Sequence, residues 1–287
     1  MSYQIRELAK NDFPSPLLEI PQPPKKLYVA GELPSEESIF LSVVGSRKHT
    51  NYGADACEKI IEGLVGHPIV IVSGLALGID ALAHKAAMRA GLKTLAVPGS
   101  GLDQKAIYPR TNLSLAEDIV AKGGALLSEY EPDFRATTWS FPARNRIMAG
   151  LSRAVLIIEA EERSGTLITA RLATEYNRDV YVIPNGIFSP GSRGSNQLLK
   201  QGAYPITDAS DILLLLGLKK DDEAFSERPP LDLSPEEQKI FDLLAEPMPR
   251  DELIRASGIR ASEGNTLLSV MEIKGIITEK GGNFRRT

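Results

Sequence analysis

Residues 72–87 read VSGLALGIDALAHKAA. The stretch leaves the apolar run IVIV of residues 69–72, turns through Ser73-Gly74 and Gly78, and becomes alanine-rich and helix-prone. A strand that empties through a glycine turn into a helix builds a cradle for an oxyanion. The turn lets the backbone come close, and the helix start aims unpaired N–H groups and a positive dipole end at the anion. Such a phosphate belongs either to a nucleotide cofactor or to a nucleic acid.

The same pattern recurs on both sides of this stretch. Apolar or β-branched runs SIFLSVVGS (38–46), IVIVSG (69–74), TLAVPG (94–99), ALLSEY (125–130), AVLIIEA (154–160) and DVYVIP (179–184) alternate with segments such as ADACEKIIEGLVG, IDALAHKAAMRAG, NLSLAEDIVAKGG and LITARLATEYNR. The apolar positions of these segments fall near helical spacing. Alternation of this kind predicts an α/β fold with a doubly wound, mostly parallel sheet, whose ligands sit beyond the carboxyl ends of the strands. Residues 1–36, proline-rich from 14 onward, read as an N-terminal segment wrapped on the surface. The sheet domain spans 37–217, a charged and proline-containing linker 218–233, and a small winged-helix domain 234–287.

With 287 residues, 43% of them hydrophobic, the chain has room for one medium-sized domain and a smaller one. No charge-free apolar stretch reaches the roughly 18 residues of a membrane span, and the N-terminus lacks the basic start and apolar run of a signal peptide; a cytoplasmic protein is expected. One cysteine and three scattered histidines predict neither a disulfide nor a metal site. The formal net charge of −4 excludes a protein coated in positive charge and confines any polyanion binding to a local groove.

Unusual residues collect at the turns after the strands. The first strand ends in Gly45-Ser46-Arg47, the second in Ser73-Gly74, and the third in PGSGLD (98–103). Ser164-Gly165-Thr166 opens a later helix, and FPARNRIMAGLS carries Arg144 and Arg146. Arginine's planar fork binds phosphate oxygens in pairs and stacks on bases, so this set suits a polyanion.

The motifs VVGSR, YG, SGLALGIDALAH, PGSGLD, YPRTN, LLSEY, FPARNRIMAGLS, EAEERSGTLITA and the later GSN with QGA resemble those of the DprA/Smf family of DNA-processing proteins, over residues 14 to 212 or so. The resemblance implies a Rossmann-like domain that binds single-stranded DNA. It also implies recruitment of the RecA recombinase onto that DNA, including DNA coated with single-strand-binding protein, for recombination and natural transformation, by a protein that usually works as a dimer. By motif, Gly45, Ser46 and Arg47 match the family's DNA-contacting turn and Arg110 of YPRTN lies where members carry a basic residue; the rim of turns and arginines adds Ser73, Gly74, Asn112, Arg144, Arg146, Ser164, Gly165 and Thr166 as DNA-binding candidates. Family members often carry a lysine before FPxRNR; here that stretch reads FRATTWS, with Thr137 near its place and Arg135 two residues away.

Each residue also has a plainer reading. Arg47 in a glycine turn fits either an anion or a structural carboxylate partner. His84, among alanines, reads as a hydrogen-bonded core histidine, and Asp80 as a cap that orients its own turn. If FPARNR is extended, Arg144 and Arg146 face one way, toward the groove or a buried carboxylate such as Glu129 or Glu159; the two also fit a split between those roles. Phe141 reads as packing; Trp139 and Tyr108 read equally as stacking platforms or anchors. Arg193 and Lys200 extend the basic path, and Ser192, Gly194 and Ser195 either offer helix-start amides to a phosphate or simply cap. The leucines of ILLLLG (212–217) complete the core or a dimer seam.

In the winged-helix segment, the third helix SEGNTLLSVMEIKG offers only Lys274 as a cation, with Arg285 and Arg286 on the wing, so protein contact is at least as well supported as duplex reading. The competing enzyme class is a phosphoribohydrolase acting on nucleoside monophosphates, whose signature is PGGxGTxxE; here Thr166 is followed by Thr169 where that chemistry needs glutamate. A third glycine for a dinucleotide fingerprint and a G-x-x-x-x-G-K-[ST] loop are both missing. A binding protein without catalysis or cofactor is expected.

Overall fold

The alternating runs form one sheet in the computed structural model, which describes residues 3–35, 37–218 and 233–286. Its strands are β1 (Ile5–Glu7), β2 (Tyr28–Gly31), β3 (Ile39–Val44), β4 (Ile69–Ser73), β5 (Thr94–Ala96), β6 (Ala125–Ser128), β7 (Ala154–Ile157), β8 (Asp179–Val182) and β9 (Tyr204–Pro205). They are ordered β1-β2-β6-β5-β4-β3-β7-β8-β9. Every neighbour pair from β6 to β9 is parallel. The helices are α1 (Ser15–Leu18), α2 (Asn51–Glu62), α3 (Ile79–Arg89), α4 (Leu113–Ala121), α5 (Ser140–Leu151), α6 (Gly165–Glu175), α7 (Arg193–Lys200) and α8 (Ala209–Leu215).

Period-two alternation divides the strand side chains between two cores. Leu41, Val43, Ile69, Ile71, Leu156 and Ile158 meet α2, α3 and α8 on one face. Val70, Val72, Val155 and Ile157 meet α5 and α6 on the other. Both faces are covered, which is why these strands read as continuous apolar runs.

The N-terminal segment departs from the expectation of a surface wrapping. Its LYVAG forms β2, antiparallel to β6 with Tyr28 opposite Ser128, and β1 pairs antiparallel outside it. Leu17, Leu27 and Val29 are fully buried. Tyr28 and Lys26 both bond Glu131, at 2.5 and 2.9 Å. The prolines hide a strand only four residues long.

A second unit, Asp221–Thr287, has its own core around Ile240, Leu253, Leu268, Met271 and Phe284. Helices α9 (Pro235–Leu243), α10 (Arg250–Ser257) and α11 (Ala261–Ile273) pack with the strands β10 (Met248–Pro249), β11 (Ile277–Lys280) and β12 (Asn283–Arg286), ordered β10-β12-β11. This is a winged helix with one strand more than the two-stranded wing expected. Ser234 and Glu237 form the capping box of α9. Most of the expected linker, 219–232, lies outside the described residues.

Candidate nucleic-acid interface

The order of the sheet reverses at β3: β4, β5 and β6 lie to one side of it and β7 to the other. At such a switch point the loops leaving adjacent strands part, and a crevice opens beyond their carboxyl ends. Here it is a pocket of about 530 Å³. Its walls are the Gly45–Lys48 turn after β3, Phe141, Arg144 and Asn145 of α5, and Glu161 with Ser164, Gly165 and Thr166 at the start of α6.

The helices that follow β3, β4 and β7 start toward this rim, and at two of these three starts stands a carboxylate of the chain itself. Asp80 Oδ2 accepts the Gly74 amide at 3.1 Å and the carboxylate also bonds the Ala76 amide. Burial pushes this carboxyl above its ordinary range, against the pull of Arg144, the two amides and Arg47. At α2, the fully buried Glu159 accepts the Thr50 amide at 2.9 Å and the Thr50 hydroxyl at 2.5 Å. The third end, α6, is capped only by the neutral Ser164 hydroxyl, which accepts the Thr166 amide at 3.2 Å. Gly165 beside it is exposed, with open space where a side chain would stand. Of these three, the α6 dipole is the one that faces the pocket without a carboxylate of its own.

The cradle read in VSGLALGID is thus filled from within. Gly74 gives its amide to Asp80 and its carbonyl to Arg144 Nη1 at 2.5 Å. Ser73 is fully buried and its hydroxyl donates to the Val43 carbonyl at 2.6 Å. The expectation that this turn's amides meet a phosphate is corrected accordingly. Leu75 adopts φ 56°, and Asn112 holds the turn by donating to the Leu75 and Ala76 carbonyls at 2.9 and 3.2 Å. Asn112 is a brace behind the pocket. His84 Nδ1 lies 2.7 Å from Thr94 Oγ1, and burial pushes the imidazole down to about 3, in keeping with a core histidine.

The turn that does face the pocket is locked onto this inner layer. The Ile79 amide donates to the Ser46 carbonyl at 3.1 Å, and Gly78, at φ 82°, lies so close that a Cβ would strike that carbonyl and the Arg47 backbone. Ser46 Oγ accepts the Lys48 amide at 3.0 Å, and Thr166 Oγ1 donates to the Gly45 carbonyl at 3.2 Å. Arg47 is exposed, its guanidinium 5.6 Å from the Phe141 ring centroid. Phe141 also meets Tyr108, centroids 5.6 Å apart. Phe141, read as packing, both packs and lines the pocket. Lys48 and Asn145 also line it; neither was singled out for binding, Lys48 because it follows the motif arginine and Asn145 because it stands between two others.

FPARNRIMAGL is helical, with Pro142 in the first turn where its missing N–H costs nothing. Arg144 and Arg146 therefore project about 200° apart and do not share a direction. Arg144 is buried, donating to Gly74 and Val97 carbonyls and to Asn145 Oδ1 at 3.2 Å. Burial pushes its guanidinium down to about 10, while Asp80 holds it up. Arg146 pairs with Glu129, away from the residues that line the pocket. Arg110 is exposed and bonds the Gln104 carbonyl. The pocket thus gathers Gly45, Ser46, Arg47, Arg144, Ser164, Gly165 and Thr166, and leaves Ser73, Gly74, Arg110, Asn112 and Arg146 outside it.

Elsewhere, the first amides of α7 are committed: Gly194 and Ser195 both donate to the Ala160 carbonyl, at 2.9 and 3.2 Å, so they meet the end of the β7 segment in place of a phosphate, and neither Ser195 nor Asn196 caps the helix. Trp139 is 58% exposed and touches Tyr130 and Phe134. Of the leucine run, Leu213 is buried and Leu214 exposed. In the winged-helix unit Lys274 is bound to Glu237 at 2.7 Å, and Arg286 stacks on Phe241 while donating to the Phe241 and Asp242 carbonyls.

Comparison with known proteins agrees with this geometry. The family model for DNA recombination-mediator protein A matches residues 4–217, and that for the DprA winged helix domain matches 225–283. The chain is 39% identical over 284 residues to Protein Smf of Escherichia coli, covering 96% of this chain and 75% of that protein. It is 44% identical over 201 residues to DNA processing protein DprA of Streptococcus pneumoniae, 70% of each. An X-ray structure of the latter superposes with a TM-score of 0.69 at 41% identity, covering 74% of both chains. DNA processing protein A of Helicobacter pylori, in a structure described as showing its single-stranded DNA binding mode, superposes with a TM-score of 0.66 at 33% identity, over 75% of this chain and 96% of that one.

Proposed function

Since this chain belongs to the DNA recombination-mediator protein A family, the DprA/Smf proteins, we propose that it binds single-stranded DNA at the pocket between β3 and β7 and acts in DNA recombination and natural transformation. The observation that carries this reading is the pairing of an exposed Arg47, set over Phe141, with the α6 helix start across the same pocket. Arginine and helix end take backbone phosphates, and a base has the Phe141 and Tyr108 rings to stack on. Arg144 holds the floor in place, while Arg110 adds charge from the neighbouring loop. Contacts of this kind are tolerant of sequence and sensitive to salt.

In the fuller form of the proposal, a homodimer holds two strands together and delivers RecA onto single-stranded DNA, including DNA coated with single-strand-binding protein. The role is one of binding, with no cofactor and no catalytic step. The supporting neighbour is the Helicobacter pylori protein, described by its single-stranded DNA binding mode.

Fluorescence-anisotropy titration of labelled oligo-dT and a matched duplex, across salt concentrations, tests this with wild-type protein and Arg47→Ala. Single-strand binding that weakens steeply with salt and collapses in the variant supports the reading. Binding indifferent to Arg47 overturns it and directs attention to turnover of nucleoside monophosphates.

A further inference from the structure

The most exposed large apolar side chain among the described residues of the sheet unit is not at the pocket. Phe188 is 93% exposed and its neighbour Ile187 78%. Two such residues side by side on a loop mark a contact surface. Ile187 borders a groove of about 600 Å³ between the loop and α7, whose other walls include Asn185, Asn196, Gln197, Arg193 and Lys200. No carboxylate lines this groove among the described residues. Exposed arginine and lysine, side-chain amides and a bare aromatic ring are the groups that bind a flexible polyanion with flat bases.

Hydrogen bonds fasten the groove to the pocket rim at three points. Tyr52, on the first turn of α2 after the Arg47 turn and half exposed, donates from its hydroxyl to the Pro184 carbonyl at 2.7 Å. Asn185 donates to Glu159 Oε1 at 3.3 Å, so the carboxylate that caps α2 also anchors this loop. Gly194 of α7 donates to the Ala160 carbonyl at 2.9 Å. Directly after Ala160 the chain runs into Glu161–Thr166, the wall of the pocket. Pocket and groove are two sides of one strand-end segment.

We propose that the groove between residues 184–189 and α7 is a second subsite for single-stranded nucleic acid, in which Arg193 and Lys200 take phosphates and Phe188, on the same loop beside the groove wall Ile187, stacks a base. This rests on the reading of the pocket as a single-stranded-DNA site and lengthens the strand's path across the rim. A strand long enough to leave the pocket over the Ala160–Thr166 segment reaches the groove; a short one does not.

Strand length therefore separates the two sites. Anisotropy titrations with dT strands of about 5 and about 15 nucleotides, a range that brackets common single-strand footprints, are made with wild type, Phe188→Ala, Phe188→Tyr and the double variant Arg193→Ala/Lys200→Ala. Phe188→Ala is expected to weaken the long strand about tenfold and leave the short one unchanged, with Phe188→Tyr restoring the loss. The double variant is expected to reduce the salt slope on the long strand by about 1.4 in log–log units. Equal weakening of both strands, or of neither, overturns the subsite. So does a Phe188→Ala protein that keeps full affinity for the long strand but sediments as a smaller assembly, since the surface then serves a protein contact. Wild type that binds neither strand overturns the pocket reading itself, an outcome the Phe188 variants do not produce.

Discussion

Arg144 reaches through the floor of the pocket to donate to the Gly74 carbonyl at 2.5 Å. A Cβ on Gly74 would fall on that guanidinium, so the two residues are matched by shape as well as by hydrogen bonding. The same arginine is the foremost charge opposing the burial of Asp80. Arg144→Met is expected to cost about 3–5 kcal/mol in urea unfolding, because it strips the buried Asp80 of its foremost opposing charge and leaves the Gly74 and Val97 carbonyls without their donor. Adding Asp80→Asn should return part of the loss; a single variant within about 1 kcal/mol of wild type would sink this account.

His84 makes stability depend on pH. Its folded-state pKa, about 3, lies below the ordinary 6.5 because burial disfavours the imidazolium. The unfolded chain then binds more protons between those values, so the stability present above pH 6.5 is lost as pH falls toward 3. The loss is on the order of 4 kcal/mol over that window. His84→Gln should show a flatter acid limb than wild type when unfolding free energies are measured from pH 7 to pH 4.

Charge alone does not reproduce Arg47. Lysine at this position keeps the phosphate attraction and gives up the planar face set 5.6 Å over Phe141. Arg47→Lys should raise the Kd for oligo-dT about five- to tenfold with the salt slope preserved, whereas Arg47→Ala lowers the slope as well.

Beside the buried Asp80, Glu161 puts an exposed carboxylate into the wall of a pocket that otherwise offers Arg47, Lys48 and the start of α6. Removing its charge with Glu161→Gln should tighten single-strand binding about two- to threefold at low salt, and the gain should fade as ionic strength rises. Unchanged or weaker binding would mean that Glu161 has a positive role in the pocket.

In the winged-helix unit, Arg286 is stacked on Phe241 and spends its donors on backbone carbonyls. Arg286→Ala should destabilise that unit by about 1 kcal/mol in thermal unfolding and leave duplex binding by the full chain unaltered. A drop in duplex affinity would assign the residue to DNA after all.

The parallel sheet and its rim were legible because a strand buried on both faces leaves a continuous apolar run, and a glycine turn marks its end. Less legible was which turn stays open to a ligand. That depends on where carboxylates fold back, and Glu159 lies 109 positions from the Thr50 it caps. Asp80, read as orienting its own turn, does so by accepting the Gly74 amide, yet the consequence that it removes that amide from use needed three-dimensional placement. The FPARNR segment hid its helix behind a proline and weak periodicity; its arginines share a direction only in an extended segment, and in the helix they take two. Phe188 stood in a glycine- and proline-rich loop, where nothing in the pattern distinguishes an exposed ring from a buried one.

The internal filling of two helix ends also bears on ligand charge density. A nucleoside triphosphate packs several negative charges into one short chain and is best met by several converging dipoles. Here Asp80 and Glu159 have quenched two of the three. On the proposed reading, what remains suits an anion whose charge arrives one unit per residue along a thread better than a compact polyphosphate.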